Sequence, residues 1–528
     1  MTYRRLFVAC RPGVGGRIEY HPAVVLSRAH LARLSPRTLL WLALALYAGV
    51  VSVTVVLGQP NSDEGFYQYG AWRVLQGERP YSDFAYVQMP ALPYLYAPTL
   101  ALFGTSVYVG RLTTAAFALA QLGAALALAR RYGGLRAAAL TALLLGSFSF
   151  VVYFNTIVKT YALVSLLLTL TLLTLPRAGS GPIGWALPVA CVTLAALVRL
   201  SAVAAWLPVL LYGLWSVRGG WRARLALGVW AAGLWLPALY LFTRDPAATA
   251  WQVLGLHLEQ WHGASLARRL AEVVAFRLPS IVTAFAPHAV LTAATVAAFG
   301  VGRRLPRQVN RPLLMLVSLG AFAGSHLISG EWQVEYLVPA AAAAMPLLAV
   351  GLTCVWERSP NREARAAWAG LLAATVGAAL LYNFPSRIVL NPAYAPLEVQ
   401  RAAARVVAEH STPSERVLAL EALGVALEAQ REVLPGLSVS STSVQALLNT
   451  QAAALHVVTP DMLAVALETH AARIVLLTPG DWGFLARLGG DLPRLEAALA
   501  ANYQLITTQP RFGQYSTPLA IYLCRACP

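Results

Sequence analysis

Asp63-Glu64-Gly65-Phe66-Tyr67 follows the first long apolar stretch of the chain, residues 39–58, and is followed in turn by Tyr81-Ser82-Asp83-Phe84 and Met89-Pro90-Ala91-Leu92-Pro93. Ionised groups are expensive near hydrocarbon, so two adjacent carboxylates at the exit of a membrane span are not packing residues. They cap the helix that begins there, since acids at a helix start are favourable, or they act on a hydroxyl at the bilayer surface. The two roles are compatible.

The surrounding chain sets the class. Of 528 residues, 58% are hydrophobic and 12% charged, about half the charge of an ordinary soluble domain. Mean hydropathy is +0.59. Apolar runs recur at 39–58, 108–129, 137–154, 161–176, 184–198, 200–216, 225–242, 281–300, 312–329, 337–356 and 366–384, and then stop. The expected fold is a polytopic α-helical membrane protein of about 11 transmembrane helices, ending in a small α/β extracytoplasmic domain.

Charge placement gives the orientation. The formal +17 lies mostly in short loops, at Arg130, Arg131, Arg136, Arg218, Arg222, Arg224, Arg303, Arg304, Arg307, Arg311, Arg358, Arg362 and Arg365. That is the positive-inside pattern rather than a phosphate-tracking face, so no nucleic acid is expected as a partner. Asp63, Glu64, Glu78, Asp83, Asp245, Glu259, Glu272, Glu331 and Glu335 collect in the opposite loops. Residues 1–38 then form a cytoplasmic basic arm without a cleaved signal sequence, 39–384 the membrane domain, and 385–528 an extracytoplasmic domain. An integral cell (plasma or inner) membrane location follows.

The outer loop 59–107 predicts a helix from Glu64 to Leu75, stopped at Gly77, with Tyr67, Tyr69, Tyr81, Tyr86, Tyr94 and Tyr96 suited to headgroup depth. Residues 251–277 read as an amphipathic helix lying on the membrane. His257 and His262 are five apart, which separates them on a helix and argues against a metal pair. In the tail, 416–420 and 473–477 read as short strands, and 443–451 and 492–502 as helices, with no phosphate-binding glycine loop. Cys524 and Cys527 lack the second pair that a zinc site needs, leaving a disulfide or two free thiols.

No G-x-S-x-G elbow, H-E-x-x-H or Walker loop is present, so a serine hydrolase, a zincin and an ATP-driven pump lack their signatures. What remains is one membrane face bearing carboxylates (Asp63, Glu64, Asp83) and cations at the ends of spans (Arg111, Lys159, Arg199, Arg277). Transfer of a group from a lipid phosphate to a hydroxyl needs both: a base for the hydroxyl proton and a cation for the departing phosphate. Arg111, Arg277 and Lys159 read equally well as interface anchors, Arg199 as a salt-bridge partner, and Asp83 as a turn residue.

Asp63-Glu64-Gly65-x-Tyr67, Gly77-x-x-Pro80-Tyr81-x-Asp83 and the proline-tyrosine stretch after them resemble the first outer loop of the C-superfamily glycosyltransferases. The resemblance is to the branch of dolichyl-phosphate-mannose protein mannosyltransferases and bacterial aminoarabinose transferases. Glu335-Tyr336-Leu337-x-Pro339 before a late span fits the same outline. The resemblance implies a polyprenyl-phosphate sugar as donor and inverting transfer to a lipid, glycan or protein acceptor. Asp63 would be the catalytic carboxylate, directly or through a divalent metal, with Glu64 beside it. Tyr67, Tyr81 and Asp83 would support the loop or acceptor, and Lys159, Arg199, Arg277 and Arg111 the donor phosphate. Met89-Pro90 stands where that family often has two prolines, and no donor-phosphate role carries over to Glu335. A transporter or lipid flippase, or a non-catalytic envelope scaffold, are the alternatives; the sequence shows no internal repeat of the kind transporters use.

Overall fold

The computed structural model describes residues 35–177, 179–259, 265–301, 310–327, 330, 332–383, 387–388 and 393–526. Helix α1 (Pro36–Leu57) starts where sequence rules place a start: Ser35 accepts from the Thr38 backbone N–H, and Pro36 takes the first turn. The short helices α2 (Asp63–Leu75) and α3 (Ala91–Phe103) follow, then the long α4 (Val107–Ser147) and α5 (Ser149–Phe154). Helix α4 bends at Gly133 and Gly134, the latter at φ 68°, so the two spans expected at 108–129 and 137–154 are the arms of one broken helix.

The membrane region continues with α6 (Tyr161–Thr174), α7 (Pro182–Val198), α8 (Val203–Ser216), α9 (Gly220–Gly233), α10 (Leu236–Phe242), α11 (Leu278–Val301), α12 (Asn310–Leu327), α13 (Val338–Arg358) and α14 (Arg362–Asn383). Helices α1, α6 and α13 pack on α4. Their contact is lined by Ala118, Ala125, Ala129, Ala139, Ala142 and Ala343, small side chains that let backbones approach where burial of apolar surface supplies no drive. Trp41, Leu102, Phe103, Ile183 and Trp215 point outward, as lipid contact requires.

Each of the eleven expected stretches falls on helix. Among the described residues, five helices are long and apolar enough to cross a bilayer, and α9 with α10, bent by 44°, makes a sixth if the pair is one span. The other apolar helices are shorter. The chain is an integral membrane protein.

Two expectations need correction. The flat helix foreseen over 251–277 is two pieces: residues 251–259 are helical, and a new helix capped by Ser265 runs without interruption into α11. Residues 266–277 thus belong to the same helical run as α11. Trp261 and His262 lie outside the described residues, as do residues 1–34, Arg303, Arg304, Arg307 and Glu331. The tyrosines of the outer loop are not an aromatic belt either. Tyr67, Tyr69, Tyr81, Tyr86 and Tyr96 are buried, with rings of Phe66, Tyr67, Tyr81 and Tyr86 in contact, so the loop has its own core.

The C-terminal domain contains α15 (Leu397–Glu409), β1 (Val417–Ala419), α16 (Leu423–Glu428), α17 (Asn449–Ala454), α18 (Pro460–Glu468), β2 (Ile474–Leu477), α19 (Pro479–Arg487), α20 (Leu492–Asn502), β3 (Tyr503–Phe512) and β4 (Thr517–Cys524). The sheet order is β1-β2-β4-β3, with β1 parallel to β2 and the remaining pairs antiparallel. The two expected strands and the 492–502 helix are present. The 443–451 helix begins only at Asn449, after a 3-10 turn at Ser440–Ser443. Cys524 is disulfide-bonded, and Cys527 lies outside the described residues.

This domain packs against residues 59–107. The Tyr69 hydroxyl accepts from Val433 N at 3.0 Å, Ser438 Oγ donates to Ala85 O at 2.8 Å, and Asn61 Nδ2 donates to Gln514 Oε1 at 3.0 Å.

Candidate active site

Asp63 opens α2, and the Asn61 side chain accepts from its N–H at 3.2 Å, fixing the turn that aims the acid. Adjacent residues of a helix point about 100° apart, and here the two acids have different surroundings. Asp63 is about half exposed, whereas Glu64 is buried at 4% exposure against a fully buried Arg111.

Glu64 and Arg111 form a clamp. Arg111 Nε and Nη2 donate to the two Glu64 oxygens at 2.8 and 2.6 Å, and Nη1 and Nη2 donate to the carbonyls of Gly58 and Gln59 at 2.9 and 3.0 Å. Glu64 also accepts from the N–H groups of Asn61 and Val158. A planar guanidinium serves this geometry because it binds a carboxylate and free helix-end carbonyls at once. The pair ties the end of α1, the start of α2 and α4 together. Neither Glu64 nor Arg111 lines the cavity described below, whereas Asp63 does.

Lys159 bridges two acids. Its ammonium lies 2.9 Å from Asp63 and 3.5 Å from Glu335, at 5% exposure, with the Phe154 and Tyr161 rings beneath it. Burial lowers its proton affinity, but Asp63, Tyr161 and Glu335 outweigh burial and hold the ammonium well above the usual lysine range. Lys159 therefore stays charged and orients Asp63 rather than snorkelling to water.

Between the membrane helices and the C-terminal domain lies a cavity of about 810 Å³, into which Asp63, Tyr67, Tyr161, Arg199 and Tyr336 face from the membrane side. Arg199 occupies the break after α7, in extended backbone, where its side chain leaves the helix direction. Its guanidinium lies 4.6 Å from the Tyr336 ring centre and 5.2 Å from that of Tyr161, and donates to Thr160 Oγ1 at 3.1 Å. Stacking against both rings holds the guanidinium plane in place. An acid and a planar cation thus share one enclosed space, which can take a proton from one group and hold developing anionic charge on another.

The remaining expected residues lie elsewhere. Asp83 accepts from the Arg79 N–H at 2.8 Å, a turn contact. Tyr81, at φ 76° and fully buried, donates to Gln88 O at 2.6 Å and shapes the loop. Arg277 is buried, donating to Leu327 O at 2.9 Å beside Trp332.

No protein-family model matches the chain, and no curated protein matches it in sequence. Solved structures do match in shape. ArnT from Cupriavidus metallidurans bound to undecaprenyl phosphate superposes with a TM-score of 0.61 over 92% of this chain and 97% of that one, at 16% identity. Its apo state gives 0.58 over 91% and 97%, at 15% identity. The apo Archaeoglobus fulgidus oligosaccharyltransferase gives 0.55 over 88% and 72%, at 13% identity.

The chain has the fold of ArnT and of the archaeal oligosaccharyltransferase.

Within this fold the residues present do not fit a divalent ion at Asp63. The cation beside that carboxylate is the Lys159 ammonium, and among the described residues no three His, Cys, Asp or Glu side chains converge on a metal position. Three neighbours of the site were given no role in it by the sequence: Tyr161 and Tyr336, which stack on Arg199, and Glu335, named only within a motif and among the acids, which shares Lys159. Their signal was position, since each stands at or just before the start of an apolar run.

Proposed function

We propose that this protein transfers a sugar, with inversion, from a polyprenyl-phosphate donor to an acceptor hydroxyl at the extracytoplasmic face of the cell membrane. One observation carries the reading: Asp63 and Arg199 face the same cavity between the membrane helices and the C-terminal domain. The structural likeness to an enzyme crystallised with undecaprenyl phosphate supports it.

In the reaction, Asp63 takes the proton of the acceptor hydroxyl as its oxygen attacks the anomeric carbon from the face opposite the phosphate. The carbon–oxygen bond to phosphate breaks, and its electron pair leaves on polyprenyl phosphate. Arg199 holds that phosphate as its charge grows. Lys159 keeps the Asp63 carboxylate aimed, with Glu335 and the aromatic rings fixing Lys159 in turn.

The test is a transfer assay in membranes with radiolabelled polyprenyl-phosphate sugars, comparing wild type with Asp63→Asn. Loss of a general base costs about 10²–10⁴-fold in rate, and a loss of that order in a folded variant is expected. Undiminished transfer by Asp63→Asn would overturn the assignment.

A further inference from the structure

The second wall of the cavity belongs to the C-terminal domain, and its chemistry differs from the first. Strands β1 and β2 are parallel, and their carboxyl ends reach the cavity, Glu421 lying just beyond Ala419 and Pro479 just beyond Leu477. Open α/β sheets gather their ligand-binding groups at that end of the strands. Ser440, Ser441 and Thr442 line the same wall, together with Arg487 and the exposed ring of Tyr515.

Glu421 is held in place but not satisfied. Its Oε2 accepts from Thr478 Oγ1 at 2.9 Å and its backbone N–H donates to Asp481 Oδ1 at 3.1 Å, while the buried Oε1 has no partner among the described residues. A Cβ on Gly480 would stand 3.1 Å from Oε2, and one on Gly513 would stand 3.1 Å from Oε1. Two glycines thus leave room around this carboxyl group. Ser440, at φ 56°, donates to Leu420 O and pins the hydroxyl-bearing turn against the end of β1. A buried oxygen without a donor is costly to keep unless a ligand completes it.

We propose that this wall is the acceptor subsite and that the acceptor is a carbohydrate. Sugar hydroxyls donate to Glu421 Oε1 and exchange hydrogen bonds with the Ser441 and Thr442 hydroxyls. Arg487 donates to a ring or hydroxyl oxygen, and the Tyr515 ring covers an apolar sugar face. One remaining hydroxyl is then presented to Asp63. The catalytic half of this statement rests on the function proposed above; the binding half does not.

The test uses the full chain in lipid nanodiscs and saturation-transfer NMR with methyl glycosides of mannose, galactose, glucose, arabinose and N-acetylglucosamine, beside a threonine-containing tripeptide. At least one glycoside is expected to bind wild type, and to bind at least tenfold more weakly to Glu421→Gln and to Arg487→Ala. Arg487 is exposed, so its truncation leaves the fold intact. Absence of glycoside binding to wild type, equal binding to both variants, or binding of the tripeptide alone overturns the proposal. Absence of transfer from every donor, with glycoside binding lost in Glu421→Gln, overturns the catalytic reading and supports the subsite.

Discussion

Gly65 meets Gly424 main chain to main chain: a Cβ on Gly65 would stand 2.6 Å from the Gly424 backbone nitrogen. The helix carrying Asp63 and helix α16 of the C-terminal domain approach this closely because Gly65 has no side chain; a Cβ on Gly424 would instead meet Gln400 at 3.0 Å. Gly65→Ala forces them apart. Overpacking of this kind costs about 1–3 kcal/mol, and we expect a lower melting temperature together with reduced transfer as the cavity wall shifts. An unchanged melting curve would show that the domains are not rigidly seated.

Glu64 and Arg111 give a prediction opposite to that for Asp63. Removing one partner of a buried ion pair costs about 3–5 kcal/mol, because the other is left charged in a dry site. Glu64→Ala and Arg111→Ala are each expected to lower yield and melting temperature steeply. The double variant should lose much less than the sum. Transfer per folded molecule should fall far less for Glu64→Ala than for Asp63→Asn, which activity normalised to folded protein measures.

Lys159→Met leaves the carboxylates of Asp63 and Glu335 without the cation between them. Stability and activity should both fall. Adding Glu335→Gln should restore part of the melting temperature but little of the activity, since nothing then orients Asp63. Recovery of both together would assign Lys159 a purely structural role.

Arg199→Lys keeps a charge but not a plane. An ammonium does not fill the site between the Tyr161 and Tyr336 rings as guanidinium does. We expect KM for the lipid-linked donor to rise about tenfold, or about 1.4 kcal/mol, with acceptor KM nearly unchanged. A rise confined to the acceptor would move Arg199 to the other substrate.

Glu421 predicts a pH dependence. Burial, and then the charge of Asp481, raise its proton affinity in the folded domain. Its protonation therefore stabilises the fold below the unfolded pKa, and that contribution is lost as pH rises through the folded value. Glu421→Gln removes the loss. Its melting temperature relative to wild type should be near equal at about pH 4 and should gain on wild type toward neutral pH. Asp481, also raised by burial, keeps some slope in both proteins. Parallel melting curves across this range would contradict the argument.

The membrane helices were legible because each apolar run is its own signal, readable without knowing its neighbours. Strands β1 and β2 were legible for the same reason, being wholly apolar and buried. Strands β3 and β4 were not. Their exposed and half-buried residues include Gln504, Thr507, Thr508 and Gln509, and their pairing, rather than local hydrophobicity, makes them a hairpin. At the site, the sequence led to Asp63, Lys159 and Arg199 but put Glu64 and Arg111 in the same group. The sign of a charge can be read from a sequence, while its partner cannot. Glu421 was missed because an acid after a short strand looks like any solvated turn until Thr478, Gly480 and Gly513, distant in sequence, pack around it.

Asn61 and Gln514, joined by a hydrogen bond, are 453 residues apart in the chain. At about 5–20 residues per second, the ribosome needs roughly 20–90 s to travel from one to the other. For that interval the growing chain carries Asp63 at the bilayer face with only half of its enclosure made. A product that stops before Gln514 keeps the acid but lacks the contact that ties Asn61 to the C-terminal domain, so the cavity lined by Asp63 and Glu421 is braced there only once residue 514 has been made.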